Sequence, residues 1–75
     1  MTLSELKFIV ALAQEKNFRK AAEKSFVSQP ALSLGIKKIE QELNLSLFER
    51  SVGAAGNVKI TPIGQKIIDQ AKMIL

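Results

Sequence analysis

Residues 17–43 constrain the fold more than any other part of the chain, because they indicate two helices joined by a very short turn. Ser28 is placed to cap the second helix by accepting a backbone N–H from its first turn. Val27 before this cap and Leu32 after it have the spacing of a hydrophobic staple. Pro30 falls in the first turn, where a missing N–H costs little. A short helix, a tight turn and a longer helix together predict a helix-turn-helix.

The second of these helices has two different faces. Apolar residues recur at alternating steps of four and three and predict one buried stripe, formed by Leu32, Ile36, Ile39 and Leu43. A neighbouring polar face carries Gln29 and Ser33, whose side chains are of the kind that read base edges in a DNA major groove. Lys37 on this face is placed to meet a phosphate. The alternative interpretation is an ordinary amphipathic helix whose polar face meets only water.

The positive charge of the chain is concentrated on the same segment. The 75 residues include 11 basic and 7 acidic side chains, for a net charge of +4. Residues 16–38 hold six basic side chains and one acidic side chain, so the rest of the chain is close to neutral. A local basic patch indicates a polyanionic partner. The plain alternative is a lysine-rich surface that is merely solvated.

The chain contains no cysteine and no histidine, so disulfides, zinc sites and histidine-based catalysis are not expected. No paired carboxylates and no phosphate-binding glycine loop appear either, and we expect a protein that is not an enzyme and needs no cofactor. There is no basic leader and no apolar stretch long enough to cross a bilayer. A cytoplasmic protein without a membrane partner is therefore expected.

The segments around the helix-turn-helix predict the rest of a small, mainly α-helical domain. Thr2 and Glu5 have the spacing of a capping box and predict a first helix that ends near residues 16–17. Residues 45–50 and 58–60 predict two short strands, joined by a turn at 52–57. A two-stranded hairpin directly after a helix-turn-helix is a wing, and it must lean on the helices for support.

Thr61 and Pro62 predict the start of a last helix, with the threonine as its cap. The apolar stripe of this helix continues to the last residue without a stop signal. We expect its early part to cover the core and its late part to bind a second copy, through an interface drawn from Ile67, Ile68, Ala71, Ile74 and Leu75. The predicted organisation is a winged helix-turn-helix over residues 1–61 and the start of a linker and dimerisation helix over 62–75.

Several blocks of this sequence resemble, in register, the N-terminal domain of LysR-type transcriptional regulators. They cover nearly the whole chain and lie at residues 18–22 (FRKAA), 27–33 (VSQPALS), 36–40 (IKKIE), 47–50 (LFER) and 61–64 (TPIG). Within the family, residues 10–13 and 18–19 are most similar to the peroxide-sensing activators of the OxyR group. The resemblance implies a winged helix-turn-helix of three helices and a two-stranded wing, followed by a linker helix. It also implies a larger C-terminal effector domain that this chain lacks.

The resemblance and the charge pattern imply roles for individual residues. The residues expected along base edges are Gln29, Pro30, Ala31, Ser33 and Leu34. Leu34 departs from the family pattern, which often has an arginine or another polar residue there, and is expected to contact a thymine methyl group instead. The residues expected at phosphates are Arg19, Lys20, Ser28, Lys37, Lys38, Arg50, Lys59 and Thr61.

The function expected from these features is sequence-specific binding of double-stranded DNA, with residues 29–43 in the major groove of an inverted-repeat operator. The implied partners are a second copy in a homodimer, a tetramer in the full-length protein, and RNA polymerase. The alternative is a winged-helix module that binds only other proteins. A titration with duplex DNA at rising salt separates the two.

Overall fold

The computed structural model describes residues 2–50 and 56–75. In chain order these form helices α1 (Leu3–Glu15), α2 (Phe18–Ser25) and α3 (Gln29–Leu43), strands β1 (Phe48–Arg50) and β2 (Val58–Ile60), and helix α4 (Pro62–Ile74). The two strands pair antiparallel. The architecture is the predicted winged helix-turn-helix, with α4 after the wing. Within the described part of the chain, no helix is both long enough and apolar enough to cross a membrane.

The helices begin at polar caps. The Thr2 hydroxyl accepts a hydrogen bond from the Glu5 backbone N–H at 3.1 Å, and the Glu5 carboxylate accepts one from the Thr2 N–H at 2.8 Å. Asn17, Ser28 and Thr61 cap α2, α3 and α4 through their side-chain oxygens. Such caps satisfy N–H groups that a first helical turn leaves without a partner. The predicted caps at Thr2, Ser28 and Thr61 are therefore confirmed.

The first three helices end on non-glycine residues in the left-handed conformation. The φ angle is 54° at Lys16, 58° at Phe26 and 56° at Asn44. The sequence predicts this conformation at Asn44, because asparagine adopts it more readily than most residues. Lys16 and Phe26 carry no comparable signal. The turn between α2 and α3 therefore depends on a strained conformation at Phe26, whose side chain is exposed.

One hydrophobic core joins the helices to the base of the wing. The large side chains that are fully buried come from α1, α3, the residue before β1 and α4: Ile9, Leu12, Leu32, Ile39, Leu47 and Ile68. Phe18 at the start of α2 belongs to the same core. Burial of one such side chain stabilises the fold by about 1.5–3 kcal/mol. Packing of this kind, rather than helix propensity, holds the short helices in place.

Two glycines inside helices allow close approach of a neighbour. A Cβ atom at Gly35 of α3 would lie 2.8 Å from the Phe8 ring of α1. A Cβ atom at Gly64 of α4 would lie 2.3 Å from the Leu47 carbonyl oxygen. An interior glycine lowers helix stability by about 1 kcal/mol relative to alanine. At Gly35 that loss permits α1 to pack tightly on the back of α3.

β1 begins later than predicted, because residues 45–47 form a connection and pairing starts at Phe48. Glu40 of α3 gives the reason. Its carboxylate accepts hydrogen bonds from the backbone N–H groups of Leu47 at 2.6 Å and Phe48 at 3.3 Å. These bonds turn the backbone toward α3 before the ladder with β2 begins. Most of the predicted turn at 52–57 lies outside the described residues.

The wing is attached, at the end next to its turn, to the junction between α1 and α2. The Val58 N–H donates to the Lys16 carbonyl at 3.0 Å, and the Phe18 N–H donates to the Gly56 carbonyl at 2.9 Å. The side-chain amide of Asn17 donates to Asn57 Oδ1 at 2.6 Å. A two-stranded ribbon is marginally stable alone, and these bonds supply the support that it needs.

Candidate nucleic-acid interface

α3 buries its apolar stripe and leaves its polar face free. Leu32, Ile36 and Ile39 are buried against the other helices. The residues predicted to read bases all lie outside this stripe: Gln29, Pro30, Ala31 and Leu34 are exposed, and Ser33 is half-buried. Leu34 is 68% exposed, which is unusual for a leucine in a helix that packs well elsewhere. The first half of α3 therefore presents amide, hydroxyl and apolar groups to solvent on one continuous surface.

Most of the predicted phosphate-binding residues are exposed. Ser28 lies exposed at the start of α3, Lys37 is exposed one turn beyond Ser33, and Lys20 and Lys59 are exposed on α2 and β2. Arg19 is also exposed, and its Nη1 atom lies 2.8 Å from Glu23 Oε1. An exposed pair of this kind contributes little stability. It therefore does not prevent Arg19 from binding an anion instead.

Lys38 differs from the other lysines because it faces α1. Its Nζ atom lies 3.5 Å from Glu5 Oε2. The Thr2 backbone N–H, with a further contribution from the Lys38 ammonium group, holds the pKa of Glu5 below its usual value, although burial acts in the opposite direction. Lys38 thus links α3 to α1 at the back of the helix. This position gives its predicted phosphate contact less support than the one at Lys37.

Thr61 is a correction to the predicted phosphate contacts, because its hydrogen-bonding groups are used inside the fold. The residue is buried. Its hydroxyl donates to the Ser46 carbonyl at 2.7 Å and accepts from the Gly64 N–H at 3.0 Å. Its backbone N–H donates to the Leu47 carbonyl at 3.0 Å. Thr61 therefore caps α4 and joins it to the segment before β1, and no donor is left for a phosphate.

A cleft between α3 and the wing brings predicted residues from separate elements together. It has a volume of about 270 Å³, with Ser33, Lys37, Glu40 and Arg50 among its polar lining residues. The Arg50 guanidinium carbon lies 4.9 Å from the centroid of the Phe18 ring. A larger groove of about 480 Å³ lies between α1 and the turn before α3, and its lining contains none of the predicted DNA contacts. The smaller cleft, and not the larger groove, is therefore the one that bears on the predicted DNA contacts.

The predicted dimer interface on α4 divides into two parts. Ile68 and Ala71 are buried in the protomer core, and Ile67 is half-buried against it. α4 packs on α1 through this part of the stripe, so Ile68 and Ala71 are unavailable to a partner in this fold. Ile74 and Leu75 are exposed, as is Met73, which is not among the predicted interface residues.

Sequence reasoning also missed the roles of Glu40 and Phe18. The Glu40 carboxylate accepts hydrogen bonds from two backbone N–H groups beside β1. The Phe18 ring contacts the Arg50 guanidinium group. Both contacts join residues that are distant in the chain, and no local pattern predicts them.

Comparison with known proteins assigns the chain to a family. A sequence model described as "Bacterial regulatory helix-turn-helix protein, lysR family" matches residues 3–65. The chain belongs to the LysR family. The predicted family membership is therefore confirmed, and the matched range extends from α1 into the first turn of α4.

Relatives within the LysR family match the chain in sequence and in fold. The DNA-binding transcriptional dual regulator OxyR of Escherichia coli (strain K12) is 41% identical over 75 residues, which are 100% of this chain and 24% of that protein. Full-length OxyR C199D from Pseudomonas aeruginosa is 51% identical, with a TM-score of 0.89 over 99% of this chain and 24% of that one. In the crystal structure of the CbnR_DBD-DNA complex, the protein is 30% identical to this chain. Its TM-score is 0.90 over 99% of this chain and 82% of that one. The chain thus spans about a quarter of the length of the curated relative.

Proposed function

We propose that this chain binds double-stranded DNA in a sequence-specific manner, as the operator-recognition domain of a LysR-type transcription regulator. The observation that carries the proposal is the division of α3 into a buried apolar stripe and an exposed polar face at its N-terminal half. A helix of this shape fits a major groove and keeps its core contacts while it does so. The likeness to a DNA-binding domain whose structure is a complex with DNA supports the same conclusion.

The proposed roles follow from exposure and chemistry. Gln29 and Ser33 contact base edges through amide and hydroxyl groups, and Leu34 contacts a thymine methyl group. Lys37 and Arg50 bind phosphates beside them, with further phosphate contacts from the exposed residues Arg19, Lys20, Ser28 and Lys59. Phosphate contacts supply most of the affinity through release of counterions, whereas base contacts supply most of the specificity.

For the full-length regulator we propose a homodimer that pairs into a tetramer and acts on transcription together with RNA polymerase. The exposed apolar end of α4 (Met73, Ile74 and Leu75) supports self-association at that end. Residues 62–75 then serve as the start of a linker helix after the winged helix-turn-helix of residues 1–61. A dimer would place two copies of α3 in successive major grooves of an inverted repeat.

Selection of bound sites from a random duplex pool tests the proposal directly. We expect a recovered sequence with dyad symmetry, whose spacing reports the distance between the two copies of α3. Titration of the selected duplex at rising salt should then give a slope of log affinity against log salt of about −4 to −5 per bound protomer, if each protomer meets about five phosphates. Absence of binding at low salt would contradict the proposal and favour a module that binds only other proteins.

A further inference from the structure

We infer that Phe18 is a positioning residue for Arg50. The Phe18 ring holds the Arg50 guanidinium group at the cleft between α3 and the wing, with its N–H edges available to a DNA phosphate. This inference rests on the proposed function, since it specifies how one of the proposed phosphate contacts is prepared before DNA arrives.

The Phe18 ring is fixed in position by the fold. Phe18 is the first residue of α2, it is buried, and its backbone N–H donates to the Gly56 carbonyl at 2.9 Å. Arg50 is the last residue of β1 and pairs with Val58, whose N–H donates to the Lys16 carbonyl at 3.0 Å. The ring and the arginine backbone are thus attached to the same α1–α2 junction.

The contact between the two side chains is of the cation–π type. The Arg50 guanidinium carbon lies 4.9 Å from the ring centroid, within the range of about 6 Å in which such contacts are favourable. A guanidinium group that stacks on a ring uses its face and keeps its five N–H donors at the edges. Those donors are the groups that bind a phosphate.

Arg50 differs in this respect from Arg19, whose guanidinium group lies against Glu23. Within residues 2–50 and 56–75, Arg50 forms no ion pair with a carboxylate. Its positive charge is therefore held in place without a direct ion pair, while the Glu40 carboxylate that also lines the cleft is bound to two backbone N–H groups. Arg50 also shares its cleft with Ser33 and Lys37, which lie on the polar face of α3. A phosphate beside α3 would meet a guanidinium group that is already oriented, and less side-chain freedom would be lost on binding.

A double-mutant cycle on DNA affinity tests the inference. Phe18→Leu keeps an apolar side chain and removes the ring, and Arg50→Gln removes the charge. We expect Phe18→Leu to weaken binding of the selected duplex by about three- to tenfold and to reduce the magnitude of the salt slope by about one. The double variant should bind no more weakly than Arg50→Gln alone. Losses that multiply, or a Phe18→Leu variant with the wild-type slope, would overturn the inference.

Phe8→Leu is the matched control, because Phe8 is a partly buried phenylalanine packed against the same core from α1. This variant removes a ring of the same kind, and its loss of packing should leave the salt slope unchanged. Binding is measured where each variant is folded, as checked by circular dichroism. A smaller slope in Phe8→Leu as well would attribute the Phe18 effect to general loosening of the core and would contradict the inference.

A measurement on the wild-type chain avoids dependence on any variant. The side-chain protons of Arg50 should show an upfield NMR shift from the Phe18 ring in the absence of DNA, and ordinary shifts would refute the stacked geometry. If the shift is present and the chain binds no duplex, the proposed function fails. If the chain binds duplex but the cycle shows no coupling, the positioning role alone fails.

Discussion

α3 and α4 begin alike and end differently. Each starts at a hydroxyl cap with a proline in its first turn, and each carries an interior glycine against a neighbouring element. Most of the apolar stripe of α3 is buried in the core. The stripe of α4 is buried only as far as Ala71 and is exposed beyond it. An apolar period thus predicts a helix and its apolar face. The elements packed against the helix decide how much of that face a partner can reach.

The largest expected effect separates the two halves of the α4 stripe. Ile68→Glu places a charge in the core, where Ile68 is fully buried, and should destabilise the chain by about 3–5 kcal/mol or more. Ile74→Glu changes an exposed position and should leave stability within about 0.5 kcal/mol of wild type. Urea denaturation followed by circular dichroism measures both.

The same pair of variants also tests self-association. Ile74→Glu should shift sedimentation toward the monomer at concentrations where the wild type associates. An unchanged sedimentation profile would argue against the end of α4 as an interface, and equal loss of stability in both variants would argue against the division of the stripe.

The two interior glycines should respond differently to alanine. Gly64→Ala directs a methyl group at the Leu47 backbone carbonyl and should cost about 2–3 kcal/mol, within the usual range for overpacking. Gly35→Ala meets the Phe8 ring instead. Alanine improves helix propensity by about 1 kcal/mol at either position. The Phe8 side chain can shift where the Leu47 backbone carbonyl cannot, so the net cost of Gly35→Ala should be smaller. Chemical denaturation of the two variants gives the comparison, and a reversed order would contradict the packing described at Gly64.

A matched pair of glutamines compares the outward faces of the two helices. Gln29→Ala should weaken binding to the selected duplex by about 1–3 kcal/mol and relax the preference for that sequence. Gln70→Ala removes an exposed amide from α4 and should leave affinity unchanged. Competition with random duplex measures specificity. An equal loss on selected and random DNA would contradict a base-reading role for Gln29.

The smallest expected effect concerns the attachment of α3 to α1 through Glu5. The Thr2 N–H and the Lys38 ammonium group lower the pKa of Glu5 in the folded chain. Its contribution to stability is therefore present above the usual glutamate pKa of about 4.3 and is lost as the pH falls through the lower folded value. Thermal unfolding between about pH 5 and 3 should show a smaller fall for Glu5→Gln than for wild type. Glu49→Gln serves as the charge-matched control, and identical profiles for wild type and Glu5→Gln would contradict the prediction.

The local features of the fold were readable from the sequence because they depend on residues a few positions apart. The caps at Thr2, Ser28 and Thr61, and the helix end at Asn44, are local in this sense. The left-handed residue Phe26 was not predictable, because the surrounding turn imposes its conformation. The late start of β1 was not predictable either, because it depends on Glu40 of α3.

The candidate site shows the same limit. Gln29, Leu34 and Lys37 lie where the pattern predicts, because the buried stripe of α3 fixes the faces of that helix. Thr61 has the right chemistry for phosphate, yet its hydroxyl already bonds partners inside the fold. Lys38 is paired with Glu5 but its side chain is 59% exposed, so its phosphate contact stays a prediction. A residue type states which contacts a side chain is able to make. The fold decides which of them remain open.

The Glu40 carboxylate has a practical consequence for anyone who redesigns this domain. Judged by formal charge alone, Glu40 is an acid beside a surface proposed to bind a polyanion. Neutralising it would then be expected to tighten binding. Its oxygen instead accepts hydrogen bonds from two backbone N–H groups and so joins α3 to the start of β1. Removing this carboxylate would weaken the structure that holds the cationic groups in position. The gain in net positive charge would therefore be accompanied by a poorer fit to DNA.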